Sequence, residues 1–292
     1  MSQIAFWGAV ELGLVYAFVA LGVYLAFRVL DFPDLTVDGS FPLGAAVTAV
    51  LILAGINAWL AALVAMAAGA VAGLVTAVLN VRFKILHLLA SILTMIALFS
   101  VNLRVMGRPN VALINADTML SPFYGLGLGS YLLRPLFVGV LAVIALVVVW
   151  RFLVSDAGLA MRATGANPRM ARAQGVNTAR QIYLGMAISN ALVALGGALF
   201  AQTNGFADVT LGVGTIVVGL AAVIIGETLL GARGILIALI GCVIGSILYR
   251  IAIQLALSSD MLGLQASDLN LVTAVLVTFA LVLPRLRRGG DR

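Results

Sequence analysis

The chain has 292 residues, 63% of them apolar and 10% charged, with a formal net charge of +6 and a mean hydropathy of +1.18. Soluble domains carry about 25% charged residues, so this composition excludes a soluble enzyme and places the chain in lipid, where about 20 residues make one helical crossing. The basic residues sit mostly in short stretches beside apolar runs, which marks them as topology signals and excludes a nucleic-acid surface.

Taken in order, the apolar stretches predict spans at 5–27, 40–56, 58–80, 86–106, 132–153, 181–203, 211–229, 234–257 and 268–284. The expected fold is an all-α, polytopic transmembrane helical bundle of about nine spans, one domain over 1–292. Met1-Ser2-Gln3 lacks a charged leader pattern, so the first stretch is expected to be a retained span. The second and seventh are short and rich in small residues, as re-entrant or half-broken helices are. Thirteen of the 17 Lys and Arg residues fall in one set of loops and four (Arg104, Arg108, Arg134, Arg250) in the other. That asymmetry predicts a cytoplasmic C-terminus, an N-terminus outside, and 107–131 as the longest external loop. The small-residue stretches Ala65–Gly73 and Gly185–Gly197 predict closely approaching helices.

The longest cytoplasmic segment would be 154–180. Leu159–Ala163 can form a short helix stopped near Gly165; Asn167 then caps a second with Pro168 in its first position, and Gly175 ends it. Two short helices joined by a tight turn make a compact knob. The chain also echoes itself: Asp34-Leu35-Thr36-Val37 precedes the second span and Asp208-Val209-Thr210-Leu211 opens the seventh. Five intervening spans place the copies on opposite faces, the pattern of an inverted-topology repeat.

Chemical motifs are scarce. The only Lys, Lys84, precedes Ile85, so there is no phosphate-binding loop; a single His87 excludes HExxH; a single Cys242 excludes an intramolecular disulfide or a CxxC site. No catalytic group, metal site or cofactor is expected. The deep charges are Glu11 in the first span, Glu227 near the end of the seventh with Arg233 as its expected partner, and Arg250 in the eighth, near Asp260 and Asp268. An intramembrane carboxylate marks a cavity or a partner, and Glu11 is therefore a path candidate.

The combination of DFPDLTVDGSFPLGAA (31–46) with GLAMRATGANPRMARAQGVNTAR (158–180) resembles the permease subunits of bacterial ABC importers, in particular the branched-chain amino acid and ribose-type permease superfamily. The second stretch matches that group's cytoplasmic coupling loop at Gly158, Arg162, Ala163, Gly165, Asn167, Ala171, Gly175 and Val176. Asp38 departs from the ribose-type pattern, which has Gly there. The resemblance implies an inverted-repeat importer permease in a bacterial inner membrane, without catalytic chemistry of its own. Its implied partners are an ABC ATPase subunit, a periplasmic or extracellular solute-binding protein and a second permease copy in a homodimer. The implied solute is small and polar, most often an amino acid. The expected ATPase-coupling residues are Gly158, Arg162, Ala163, Gly165, Asn167, Arg169, Arg172 and Gly175; the expected solute path comprises Glu11, Asp34, Thr36, Asp38, Ser40, Thr210 and Thr215. The competing reading is a stand-alone secondary transporter with an inverted repeat; an intramembrane enzyme would need a clustered nucleophile and base.

Overall fold

The computed structural model describes residues 3–114, 116–126, 129–231, 234–257, 275 and 278. Helix α1 (Gln3–Val23) runs on through a π-helical segment (Tyr24–Val29), followed by α2 (Val37–Leu53), α3 (Ala58–Val81), α4 (His87–Met106) and a short strand β1 (Asn110–Ala112). A 3-10 turn (Ser121–Leu126) leads to α5 (Ser130–Val154), α6 (Asp156–Ala166), α7 (Pro168–Ala173) and α8 (Thr178–Asn204). Strand β2 (Phe206–Asp208), a second 3-10 turn (Val209–Gly212), α9 (Thr215–Leu230) and α10 (Ile235–Leu257) complete the described elements. Among the described residues seven helices are long and apolar enough to cross a membrane, and α2 is a shorter apolar helix. The ninth expected stretch, 268–284, lies outside the described residues apart from Val275 and Thr278.

Helices α1 and α8 form the centre, packed on by α2, α3, α5, α9 and α10. Lipid is as apolar as a leucine side chain, so helices associate through close packing rather than escape from water. The two small-residue stretches supply that contact. Gly69 and Gly73 of α3 lie against Asn190 and Met186 of α8, and Gly197 of α8 lies against the Phe41 carbonyl of α2. The outward faces of α3, α4 and α5 carry exposed Leu60, Leu63, Val71, Leu93, Val143 and Val148, an apolar coat facing the acyl chains.

The alternating helix directions sort the connections into two ends. One end holds the π segment, the α6–α7 elbow and the C-terminus of α9. The other holds the antiparallel β1–β2 ribbon, in register Asn110 to Asp208 and Ala112 to Phe206. Helix α2 starts inside the bundle and runs to the ribbon end, whereas α9 starts beside it and runs to the elbow end.

The start of α2 is corrected, and two deep charges have contacts among the described residues other than those expected. Helix α2 begins at Val37 rather than 40, because Asp34 accepts the Thr36 N–H at 2.9 Å and turns the chain straight into the helix. Glu227 pairs with Arg28 at the end of the π segment; Arg233 lies outside the described residues. Arg250 sits over the Tyr16 ring at 3.9 Å, a cation–π contact inside the bundle, while Asp260 and Asp268 lie outside the described residues.

Candidate functional site

The two echoed segments make the same turn. Asp34 accepts from the Thr36 N–H, and Asp208 accepts from the Thr210 N–H at 2.7 Å, so each Asp starts the helical element that follows it through the same Asx geometry. The elements then meet. Asp38, in the first turn of α2, accepts the Ile216 N–H at 2.7 Å and the Gly214 N–H at 3.3 Å, capping α9 across the junction. A carboxylate there meets the positive ends of two helix dipoles at once. Pro42 has no N–H to offer the Asp38 carbonyl, and Gly212 packs against that oxygen so tightly that a Cβ has no room.

Behind this junction lies a closed polar network. The Asn190 amide donates to Asp34 at 2.7 Å and accepts from the Ser40 hydroxyl at 2.7 Å, while Thr36 and Thr76 share a hydrogen bond of 2.7 Å. All five side chains are buried, so Asp34, Thr36 and Ser40 fasten α2 to α3 and α8 and face no open cavity. Thr215 is buried with its hydroxyl on the Leu211 carbonyl; Thr210 is exposed with its hydroxyl on Asp208. Glu11 lies toward the ribbon end, against Thr203 and Arg134, apart from the others. His87 stacks on Phe32 at 4.4 Å.

Asp38 borders open space. A groove of about 380 Å³ runs past Asp38, Gly39 and Pro42 of α2, Met95, Phe99 and Asn102 of α4, and Val209 and Val213 ahead of α9. Its walls are apolar apart from a few polar groups, the usual make-up of a small-molecule site. The sequence reading missed Asn102, Asn190 and Thr76. The available signal was polar side chains amid long apolar runs, which in a membrane need partners.

Asp208 ties the far ribbon together, accepting from Thr210 and from the Asn110 amide at 3.1 Å. Burial works to raise its pKa, but these hydrogen bonds outweigh it and hold the carboxyl below the ordinary carboxylate range. A depressed folded-state pKa contributes stability above the unfolded value, about 3.9, that is lost as pH falls through the folded value. Asp208→Asn is therefore expected to lower the melting temperature in detergent at neutral pH, and the gap from the parent protein to narrow as pH falls below the ordinary carboxylate range and the parent's Asp208 is protonated.

The elbow forms at the opposite end. Ser155 caps α6, accepting from the Gly158 N–H at 3.4 Å, which starts that helix a turn earlier than expected. Asn167 caps α7, accepting from the N–H groups of Arg169 and Met170 at 3.1 and 3.0 Å, with Pro168 in the first position. Gly175 follows α7 with φ +82°. Met161, Thr164 and Ala171 are buried toward the bundle. Arg162, Ala163, Arg169, Met170 and Arg172 are exposed. Gly158 packs on the Phe152 carbonyl, and Gly165 on the Val29 carbonyl and the Leu30 backbone, with no space for a Cβ at either. The elbow is thus seated on the π segment, backbone to backbone. A cleft of about 330 Å³ between them is lined by Tyr24, Arg28, Asp31 and Arg162.

Residues 8–283 match the family model described as branched-chain amino acid transport system, permease component. The chain is 38% identical to a tyrosine transport system permease protein of Clostridioides difficile strain R20291, over 90% of this chain and 86% of that protein. It is 30% identical to a galactofuranose transporter permease protein of Escherichia coli strain K12, over 63% of this chain and 52% of that one. Among solved structures, PsaBC from Streptococcus pneumoniae in complex with Fab has a TM-score of 0.51 at 16% identity, covering 95% of this chain and 90% of that one, a likeness of fold.

Proposed function

The chain belongs to the family of branched-chain amino acid transport system permease components, and from that premise we propose that it forms the solute path of an ATP-driven importer whose ATPase is a separate subunit. Two copies pair, an external binding protein delivers the solute, and the elbow docks on the ATPase. The 13-to-4 distribution of basic residues supports a cytoplasmic elbow and an N-terminus outside. A tyrosine permease among the relatives supports an amino acid as the solute.

The observation that carries this reading is the seating of α6–α7. A lever must be stiff and must be fixed to what it moves. Asn167 stiffens the turn between the two helices, and Gly165 fixes α6 to the π segment that ends α1. Helix α1 touches α2, α8, α9 and α10, so a push on the elbow reaches the junction of α2 and α9 through packed elements. The exposed guanidinium groups of Arg162, Arg169 and Arg172 offer donors for acceptors on a partner.

Crosslinking tests the docking. Met170 is 62% exposed at the elbow tip, while the native Cys242 is fully buried and will not compete. In membranes holding the co-expressed ATPase, Met170→Cys is expected to crosslink to that subunit through a short thiol reagent. Labelling of the introduced thiol without any crosslink to the ATPase would contradict the docking.

A further inference from the structure

Asn102 is fully buried and lines the groove of about 380 Å³ beside Asp38. Its amide nitrogen donates to the Gly39 carbonyl at 3.1 Å, which fixes the orientation of the side chain, and its Oδ1 has no hydrogen-bond partner. A buried amide oxygen left unpaired costs about 1–3 kcal/mol. Asp38 is the second acceptor on this wall: two N–H groups occupy part of a carboxylate that has about four acceptor positions. The one ion pair among the described residues is Arg28 with Glu227, so among them no side-chain cation pairs with Asp38. Around these two acceptors the walls are Met95, Ile96, Phe99 and Val213, with Ser100 at the groove as a further hydroxyl. Phe99 and Val213 are 52% and 78% exposed.

Resting on the permease reading above, we propose that this groove holds the ammonium group of a zwitterionic amino acid with an apolar or aromatic side chain. Asn102 Oδ1 and the Asp38 carboxylate accept its N–H groups, and its side chain lies against Met95 and Phe99. The chemistry selects the class. An ammonium brings three donors and a positive charge to a wall that offers two acceptors and a negative charge. A solute presenting a carboxylate alone meets that same negative charge. A sugar or nucleoside hydroxyl can donate to Asn102 but brings no charge to Asp38, and its polar faces lose water against Phe99 and Met95 without replacement. The Asp at position 38 is thus the feature that turns the meeting point of two helix starts, otherwise suited to anions, toward a cation.

Thiol protection on the full-length permease in proteoliposomes tests this. Val213→Cys places a reporter on the groove wall, and its modification rate is measured with L-phenylalanine, phenethylamine, 3-phenylpropanoate or ribose present. L-Phenylalanine and phenethylamine are expected to slow the modification, and 3-phenylpropanoate and ribose to leave it unchanged. Adding Asn102→Leu, which keeps the volume and removes the acceptor, is expected to raise the half-protecting concentration about tenfold, the worth of one such hydrogen bond. Asp38→Asn, which keeps the shape and removes the charge, is expected to do the same for the two amines. Equal protection by 3-phenylpropanoate, protection by ribose, or amine protection that survives both substitutions would overturn the proposal. Such a result would leave ATP-driven uptake and the elbow crosslink untouched. Loss of the crosslink with amine protection intact would instead strike the importer reading alone.

Discussion

Gly165→Val is expected to reduce ATP-driven solute uptake by about tenfold or more while the permease still inserts and accumulates in the membrane. A Cβ at this position would fall inside contact distance of the Val29 carbonyl oxygen and the Leu30 backbone. Both neighbours are main chain, so no rotamer change relieves the clash, and α6 must lift off the π segment. Overpacking of this kind costs about 1–3 kcal/mol, which deforms the elbow without unfolding a bundle whose other contacts are far away. The β-branched side chain adds bulk across the same seam. The expected signature is a split: ATP hydrolysis by the assembled complex continues but no longer answers to solute-loaded binding protein. Wild-type coupling in Gly165→Val would show that the seating of the elbow does not transmit work.

The second large effect is expected at Asn190. Asn190→Leu removes at one stroke the donor to Asp34 and the acceptor for Ser40, both buried. Hydrogen bonds between membrane helices average only about 0.6 kcal/mol when both partners can find others. Here Asp34 is 2% exposed and keeps only its contacts with Thr36, so the cost follows the loss of a partner from a buried carboxylate, about 3 kcal/mol. Leu also must fit against Gly69 and Gly73, where α3 touches α8. A fall of several degrees in the detergent melting temperature is expected, and Asp34→Asn, which removes the charge but keeps the shape, is expected to recover part of that loss in the double variant. Unchanged melting in Asn190→Leu would show that the network is not what fastens α2.

Features governed by local rules were legible in the sequence. Asn167-Pro168 predicts a helix start because a short polar side chain caps a turn and proline favours its first position, and α7 begins there. The echo of Asp34 and Asp208 marks matching local structure, because an Asp side chain reaches the N–H two residues on, and both do. Seven of the expected apolar stretches match described helices long enough to cross a membrane to within a few residues, while 268–284 lies outside the described residues. Features set by distant partners were not legible. Arg28 and Glu227 are 199 residues apart, and Asn190 and Asp34 are 156 apart. Nothing in either segment names the other, so Arg233 was the expected partner of Glu227 only because it is near in sequence. The same holds for Asn102, whose partner Gly39 lies 63 residues away and whose importance comes from the groove that α2 and α4 make together. Asp34, Thr36 and Ser40 are polar residues at path-like positions, yet their polar atoms bond one another and side chains of α3 and α8.

The central claim is that the elbow carries work from a separate ATPase into the junction of α2 and α9. Purified permease is to be reconstituted in liposomes, with and without its ATPase and binding protein, and radiolabelled amino acid uptake followed under either ATP or an imposed ion gradient. Uptake that needs ATP together with both partners, and that is absent for the permease alone under a proton or sodium gradient, is the predicted result. Gradient-driven accumulation by the permease alone would contradict the account and establish a secondary transporter.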